Sequence, residues 1–173
     1  RDNWEVGGDY ELTLDNGHRF KLLGIANQNN KNSTRNRFKL QDDGQFQRNL
    51  FLNVDSVTEE RIVRSSYTLD VLSGQNVEFG IERAQTILDS RLALGLLSAT
   101  GTPSAAVAGL LPQNVANANS RVEEIRYEPF VIHNWTISPK MSLESTLVYE
   151  ASEITQTGDV SKQRDFDFIK PKL

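Results

Sequence analysis

No cysteine occurs in the 173 residues, and there are only two histidines, one methionine and five prolines. Without cysteine, disulfides, thiolate metal sites and cysteine nucleophiles are excluded. His18 and His133 stand in no spacing that gathers a zinc site or a nucleophile–His–acid triad. No catalytic residue, cofactor or metal is therefore expected, and the chain is read as not an enzyme. A large excess of positive charge is also missing. With a formal net charge of −4, nothing electrostatic points to nucleic acid. Apolar residues are sparse, at 38 %, for a compact soluble domain. No run approaches the roughly 18 apolar residues of a membrane helix, so any crossing of a bilayer would have to use strands. The chain opens on Arg1-Asp2-Asn3 with neither Met nor a signal peptide, and is read as a mature form or a piece of something longer.

What the chain has is alternation. Trp4, Val6, Gly8, Tyr10, Leu12 and Leu14 alternate with Glu5, Gly7, Asp9, Glu11 and Thr13, which is period two over about the length of a tilted membrane strand. Asp15-Asn16-Gly17 then supplies a tight hairpin turn. Phe20, Leu22, Gly24 and Ala26 resume the pattern over residues 18–28. Further strands are predicted over 58–71, from Val77, over 122–135 and over 142–154. Phe166 and Phe168 begin a last one. Each pairs an apolar edge with a charged one. The charged rows are Glu5, Asp9, Glu11, Lys21, Arg64, Asp70, Glu78, Glu82, Glu124, Arg126, Glu128, Glu144 and Glu150.

The connections alternate too. Short turns fall at Asn16-Gly17, Ser73-Gly74 and Pro139. Long polar excursions are predicted at about 29–56 and 90–120, and a moderate one at about 155–164. In the second, Thr102 could cap a short helix begun by Pro103. Sorting short turns to one side and long loops to the other is the plan of an outer-membrane barrel. The fold class expected is all-β: antiparallel up-and-down hairpins of an incomplete transmembrane β-barrel, about six or seven strands, spanning 1–173. The alternative is a soluble all-β binding or structural module, whose solvated face would carry the same charged rows. Two residues strain the membrane reading. Arg83 falls on the apolar face, calling for a bulge or for a strand already leaving the bilayer, and Pro129 interrupts a strand.

Several phrases carry a resemblance: WEVGGDYELTLDNGHRFKLLGIANQ, SSYTLDVLSGQNVEFGIERA, RVEEIRYEPFVIHNWTISPKMSLESTLVYEASEI and FDFIKPKL. Together they resemble part of the barrel of a TonB-dependent outer-membrane receptor, covering most of the chain outside its long loops. The resemblance implies a place in the bacterial outer membrane and a share in taking up a scarce ligand such as an iron chelate, cobalamin or a glycan. It also implies as partners outer-membrane lipid and lipopolysaccharide, the rest of the receptor barrel with its plug, and the TonB complex through the intact receptor. No plug-like region is present, so the chain is expected to be a segment of the wall.

The candidate ligand contacts are extracellular: Lys31, Arg35, Arg37, Lys39 and Arg48, set among Asn and Gln in the first long excursion. Such cations and amides suit an anionic or polyhydroxylated ligand, or lipopolysaccharide, against the plainer reading of a solvated loop. Leu92, Leu94, Leu96, Leu97, Val107, Leu110 and Leu111 in the second excursion are read as packing rather than as ligand contacts.

Overall fold

Each alternating stretch becomes a strand hydrogen-bonded to the next. In the computed structural model, which describes residues 2–173, the strands are β1 (Trp4–Thr13), β2 (Arg19–Leu40), β3 (Phe46–Leu72), β4 (Gln75–Leu96), β5 (Leu111–Gln113), β6 (Asn119–Ser138), β7 (Met141–Gly158) and β8 (Lys162–Lys172). They form one antiparallel up-and-down sheet in the order β1-β2-β3-β4-β6-β7-β8, with short β5 paired only to β4. The sheet is all-β as expected and does not close into a barrel, since β1 and β8 each keep one open edge. Gly17 (φ +82°) and Gly74 (φ +72°) take the left-handed conformation that two of the short turns require.

The pairing register puts the apolar edges of β1, β2, β3, β4, β6 and β7 on one face, joined by Ile169 and Pro171 of β8, whereas Phe166 and Phe168, expected to begin the last strand's apolar edge, lie opposite Ser152 and Glu150 on the charged face. Leu12, Phe20, Tyr67, Phe79, Val131, Leu147 and Pro171 are successive neighbours across the sheet. One step up the strands, Tyr10, Leu22, Ser65, Ile81, Pro129, Tyr149 and Ile169 hold matching positions on that face. The intervening residues, from Asp9 through Arg64, Glu82 and Glu150, line the other face. A slip of one residue at any ladder would mix the two faces.

The turns are staggered in a regular way. Leu12 opposite Phe20 stands one pair from its ladder's end at Thr13 opposite Arg19. Tyr67 opposite Phe79 stands three pairs from Asp70 opposite Asn76, and Val131 opposite Leu147 stands five pairs from Thr136 opposite Ser142. Each hairpin thus steps two residues along the strand for two strands crossed. With about 3.3 Å rise per residue and about 4.8 Å between strands, a plane through the turns is crossed by strands tilted roughly 35°.

Several expectations need correction. The stretch 29–56 is mostly strand: β2 and β3 run on as a tall hairpin whose turn is only 41–45. The polarity of β2 concealed the hairpin, because both faces of residues 29–37 are hydrophilic, although Leu50, Leu52 and Val54 alternate on β3. Asn32, Thr34, Asn53 and Asp55 hydrogen-bond to one another across the pair, with Thr34 Oγ1 donating to Asn53 Oδ1 at 2.7 Å. Likewise β4 extends to Leu96, well into the excursion expected from residue 90. The helical turn beyond it is a single 3-10 turn, Ala105–Val107. Ser104 caps it by accepting from the Ala106 N–H, in place of the expected Thr102 cap and Pro103 start.

The two awkward residues are accommodated without bulges. Register is unbroken along β4 and β6 past Arg83, which lies beside Tyr127 near the upper limit of the apolar rows. Its Nε donates to the Tyr127 hydroxyl at 3.4 Å, and the next position up, Gln85, is already polar. Pro129 leaves a local gap: the β6–β7 ladder omits Glu128 and Pro129 and resumes in the same register at Phe130 opposite Val148. A missing donor therefore removes rungs without shifting the strand.

Gly80 is where two strands and an aromatic ring meet. It lies opposite Phe130, whose ring covers it on the charged face, and a Cβ there would stand 2.7 Å from Phe130 Cζ and 2.9 Å from Ser66 Cα. Gly8 has nothing within 4 Å of the same position. Gly80→Ala is therefore expected to lower unfolding stability by about 1–3 kcal/mol through overpacking, while Gly8→Ala stays within about 0.5 kcal/mol. Denaturant unfolding followed by Trp4 and Trp135 fluorescence measures both, and equal effects would contradict the Gly80–Phe130 packing.

Candidate functional site

The charged face carries a linked belt of ions at mid-strand. Arg64 lies between Glu78 (3.9 Å) and Glu82 (3.8 Å), and Arg126 between Glu82 (3.8 Å) and Glu128 (3.2 Å). Lys170 pairs with Glu128 at 3.5 Å and with Glu150. Lys21 and Asp9 approach to 3.9 Å at the other end. The alternation of sign follows from strand geometry, since alternate residues on neighbouring strands bring opposite charges side by side. Arg64 also stands 4.2 Å over the Phe130 ring, on the charged side of Gly80. The arginine, the ring and the glycine backbone form one packed unit.

On the central strands this face is the sheltered one. Ser66 (7 % exposed), Phe130 (7 %) and Glu150 (8 %) are buried on it, whereas Val6 (62 %) and Leu147 (53 %) stand open on the apolar face. A recess of about 440 Å³ opens on the charged side, lined by Glu11, Arg19, Lys21, Arg64, Ser66 and Glu78 among others. Glu5, Glu11, Glu124 and Glu144 on the same face have no cation within 4.0 Å among the described residues. The arrangement can bind and orient polar groups. The histidines are apart, His18 Nδ1 bonded to the Tyr67 hydroxyl (2.8 Å) and His133 Nε2 to Gln75 Oε1 (2.9 Å). No cluster of three potential metal ligands exists among the described residues.

Higher on the same sheet, the predicted contact residues separate into two groups. Lys31, Arg35 and Arg37 alternate up β2 on the face of the ion belt, opposite Ser56, Leu52 and Leu50. Lys39 follows beyond a bulge between Arg37 and Phe38, opposite Gln47. None of the four lies within 4.0 Å of a carboxylate among the described residues, and Arg37 Nε donates to Asn49 Oδ1 at 3.0 Å. Arg48 departs from them. It pairs with Phe38, stands 5.4 Å from that ring, and donates to the Ala108 carbonyl at 3.2 Å, with its Nε buried and unpartnered. It anchors the 105–107 turn. Arg48 was grouped with the rest because all five were assigned to one loop, and nothing in the residue types announced the bulge that separates it from them.

The leucine-rich segment packs, as expected for part of it. Val107 and Leu110 are buried, and a Cβ on Gly95 would stand 2.7 Å from Val107 Cβ and 3.0 Å from Leu110 Cβ. The turn therefore rests directly on the β4 backbone, on the face opposite the ion belt. β5 pairs beside it with Leu94, Gly95 and Leu96. Leu92, Leu94 and Leu96 belong instead to the ion-belt face, opposite Val54, Leu52 and Leu50. That leucine surface was missed because the residues were assigned to a loop, where alternation carries no meaning.

No protein-family model matches the chain, and no curated protein does. The geometry therefore stands on its own.

The seat of the 105–107 turn gives a direct test. Gly95→Val should displace Val107 and Leu110 and raise backbone hydrogen exchange across 104–111 by at least about tenfold, leaving the β1–β2 ladder unchanged. Unchanged protection of 104–111 would show that the turn does not depend on Gly95.

Proposed function

We propose that this chain is a stretch of wall from a bacterial outer-membrane receptor barrel of the TonB-dependent kind, and that the intact receptor takes up a scarce ligand. The observation that carries this reading is the inversion of a soluble sheet. The apolar face is open across the sheet, and on the central strands the charged face is the sheltered one. A soluble module would cover its apolar face, since contiguous exposed apolar area beyond a few hundred Å² is rare without a partner surface. Lipid is such a surface, and an aqueous or plugged interior suits the ion belt.

The dimensions agree with that role. From Leu12 up to Trp4 is about 27 Å of strand, or roughly 22 Å along the normal at the tilt given by the staggered turns, close to the ~25 Å apolar band of such barrels. Measured from their own turns, Trp4 and Tyr127 stand at the same height, and so do Leu12, Trp135 and Leu143. These aromatics suit interfacial girdles. Arg83 sits just below the upper girdle, where an arginine costs about 0–1 kcal/mol rather than the 2–4 of the midplane.

In this orientation the short turns at Gly17, Gly74 and Pro139 face the periplasm and the tall hairpins stand outside. The cations Lys31, Arg35 and Arg37 then face the barrel mouth. The surrounding outer leaflet meets the opposite face, where Arg61 is paired with Glu59 (2.9 Å) and Arg121 with Asp89 (2.7 Å). Ligand capture at the mouth is thus favoured over lipopolysaccharide contact for these residues. Unpaired cations there would draw an anionic ligand inward from outside.

Spin labels test the orientation. In the intact protein in its membrane, labels at Val6, Tyr10 and Leu12 should be accessible to oxygen from lipid, and labels at Glu5, Asp9 and Glu11 to a water-soluble relaxant. The opposite pattern would invert the wall. A monomeric, cooperatively melting species in plain buffer would replace the whole reading with a soluble all-β module.

A further inference from the structure

Toward the top of the sheet the ion-belt face turns aliphatic. Within the band that face carries Leu23, Ile25, Ile62, Ile132 and Val148 among its charges. Higher up, on β3 and β4, aliphatic residues alone hold three successive rows of it: Leu50 opposite Leu96, Leu52 opposite Leu94, and Val54 opposite Leu92. These side chains are half-exposed, and the next strand sets Arg37 beside Leu50 and Arg35 beside Leu52. Cross-strand Cβ atoms stand about 5 Å apart, so the stem of each arginine borders a leucine pair directly. Arg35 and Arg37 are exposed and have no carboxylate within ion-pair distance among the described residues.

We infer that this surface binds a single-chain anionic amphiphile, its phosphate or carboxylate group held between Arg35 and Arg37 and its aliphatic part laid across Leu50, Leu52, Leu94 and Leu96. The two arginines alternate on one strand with their Cα atoms about 7 Å apart, within the reach over which two long side chains can converge on one anionic group with charge-assisted hydrogen bonds. A purely polar anion uses the arginines and leaves the leucines in water. A neutral apolar molecule covers the leucines and leaves both charges unanswered. Only a molecule with both parts satisfies the row pattern Arg–Leu–Leu repeated in two successive rows. The ligand class deepens the receptor reading, on which it rests only for the orientation of this face toward the mouth.

The test uses the full-length protein that carries this stretch, in phosphatidylcholine nanodiscs or, should it prove water-soluble, in buffer. Dodecyl phosphate, inorganic phosphate and dodecyl maltoside are titrated separately by calorimetry, with empty nanodiscs subtracted. Dodecyl phosphate is expected to bind saturably below its micelle concentration and the other two not to. The double variant Arg35→Ala, Arg37→Ala should weaken binding at least about tenfold, and Leu52→Asn, Leu94→Asn by a similar factor. Heat-modifiable mobility on gels, retained in both variants, separates lost binding from lost folding. Inorganic phosphate binding as tightly would remove the leucines from the site, and dodecyl maltoside binding as tightly would remove the arginines; either overturns the inference. No saturable binding by heat-modifiable protein overturns it as well and leaves the barrel reading intact. Loss of heat-modifiability in the unaltered protein instead overturns the barrel reading, and the titrations in buffer then judge this surface alone.

Discussion

Pairing register is the constraint on which everything else in this molecule depends. Each strand separates apolar from charged residues on its own, but the separation becomes a surface only if neighbours agree. The ladders from β1 to β8 keep Leu12, Phe20, Tyr67, Phe79, Val131 and Leu147 in one row. The same ladders bring Arg64 between Glu78 and Glu82, and Lys170 between Glu128 and Glu150. The apolar face and the ion belt are therefore one result of one geometry. Even Pro129, which removes a donor, leaves the register intact because the rungs on either side hold it.

The ion-belt face has two electrostatic regimes. At mid-strand, charges of both signs are interleaved and largely compensated, with a surplus of carboxylates at Glu5, Glu11 and Glu144. Toward the top of β2 the cations stand free of carboxylates and border leucines. Interleaved pairs of this kind contribute little stability each, and their value lies in making a charged wall self-consistent without a large net field. Uncompensated charges act at longer range and define where a charged partner is met first. The division follows height along the sheet, which is the coordinate a molecule entering from the top would travel.

Most of the sheet was legible in the residues because period two is direct evidence of a strand with two unlike faces. Legibility failed where the faces became alike. The upper part of β2 carries Asn, Lys, Ser, Thr and Arg on both sides, so 29–56 reads as loop although the backbone ladder continues and Leu50, Leu52 and Val54 alternate on β3. It failed again at Arg48, which a single-residue bulge turns away from Lys31, Arg35 and Arg37. It failed too at the 3-10 turn, whose place depends on the bare backbone of Gly95 rather than on any capping signal in its own sequence. These are contacts between segments far apart in the chain, and local pattern does not encode them.

The sequence by itself determined the all-β class, the two-face alternation of residues along each lower strand, and the positions of the short turns, because these depend only on neighbours a few residues apart. Tertiary structure alone decided that six apolar edges share one face, that Phe166 and Phe168 lie on the other, and that the shared face is the open one. It also decided how the turns are staggered, and that Arg48 on β3 turns away from the face of Lys31, Arg35 and Arg37. Those properties are relations between strands. They arise from which backbone groups pair across a ladder, and a one-residue difference in that choice would leave every strand's own pattern unchanged while destroying the surface.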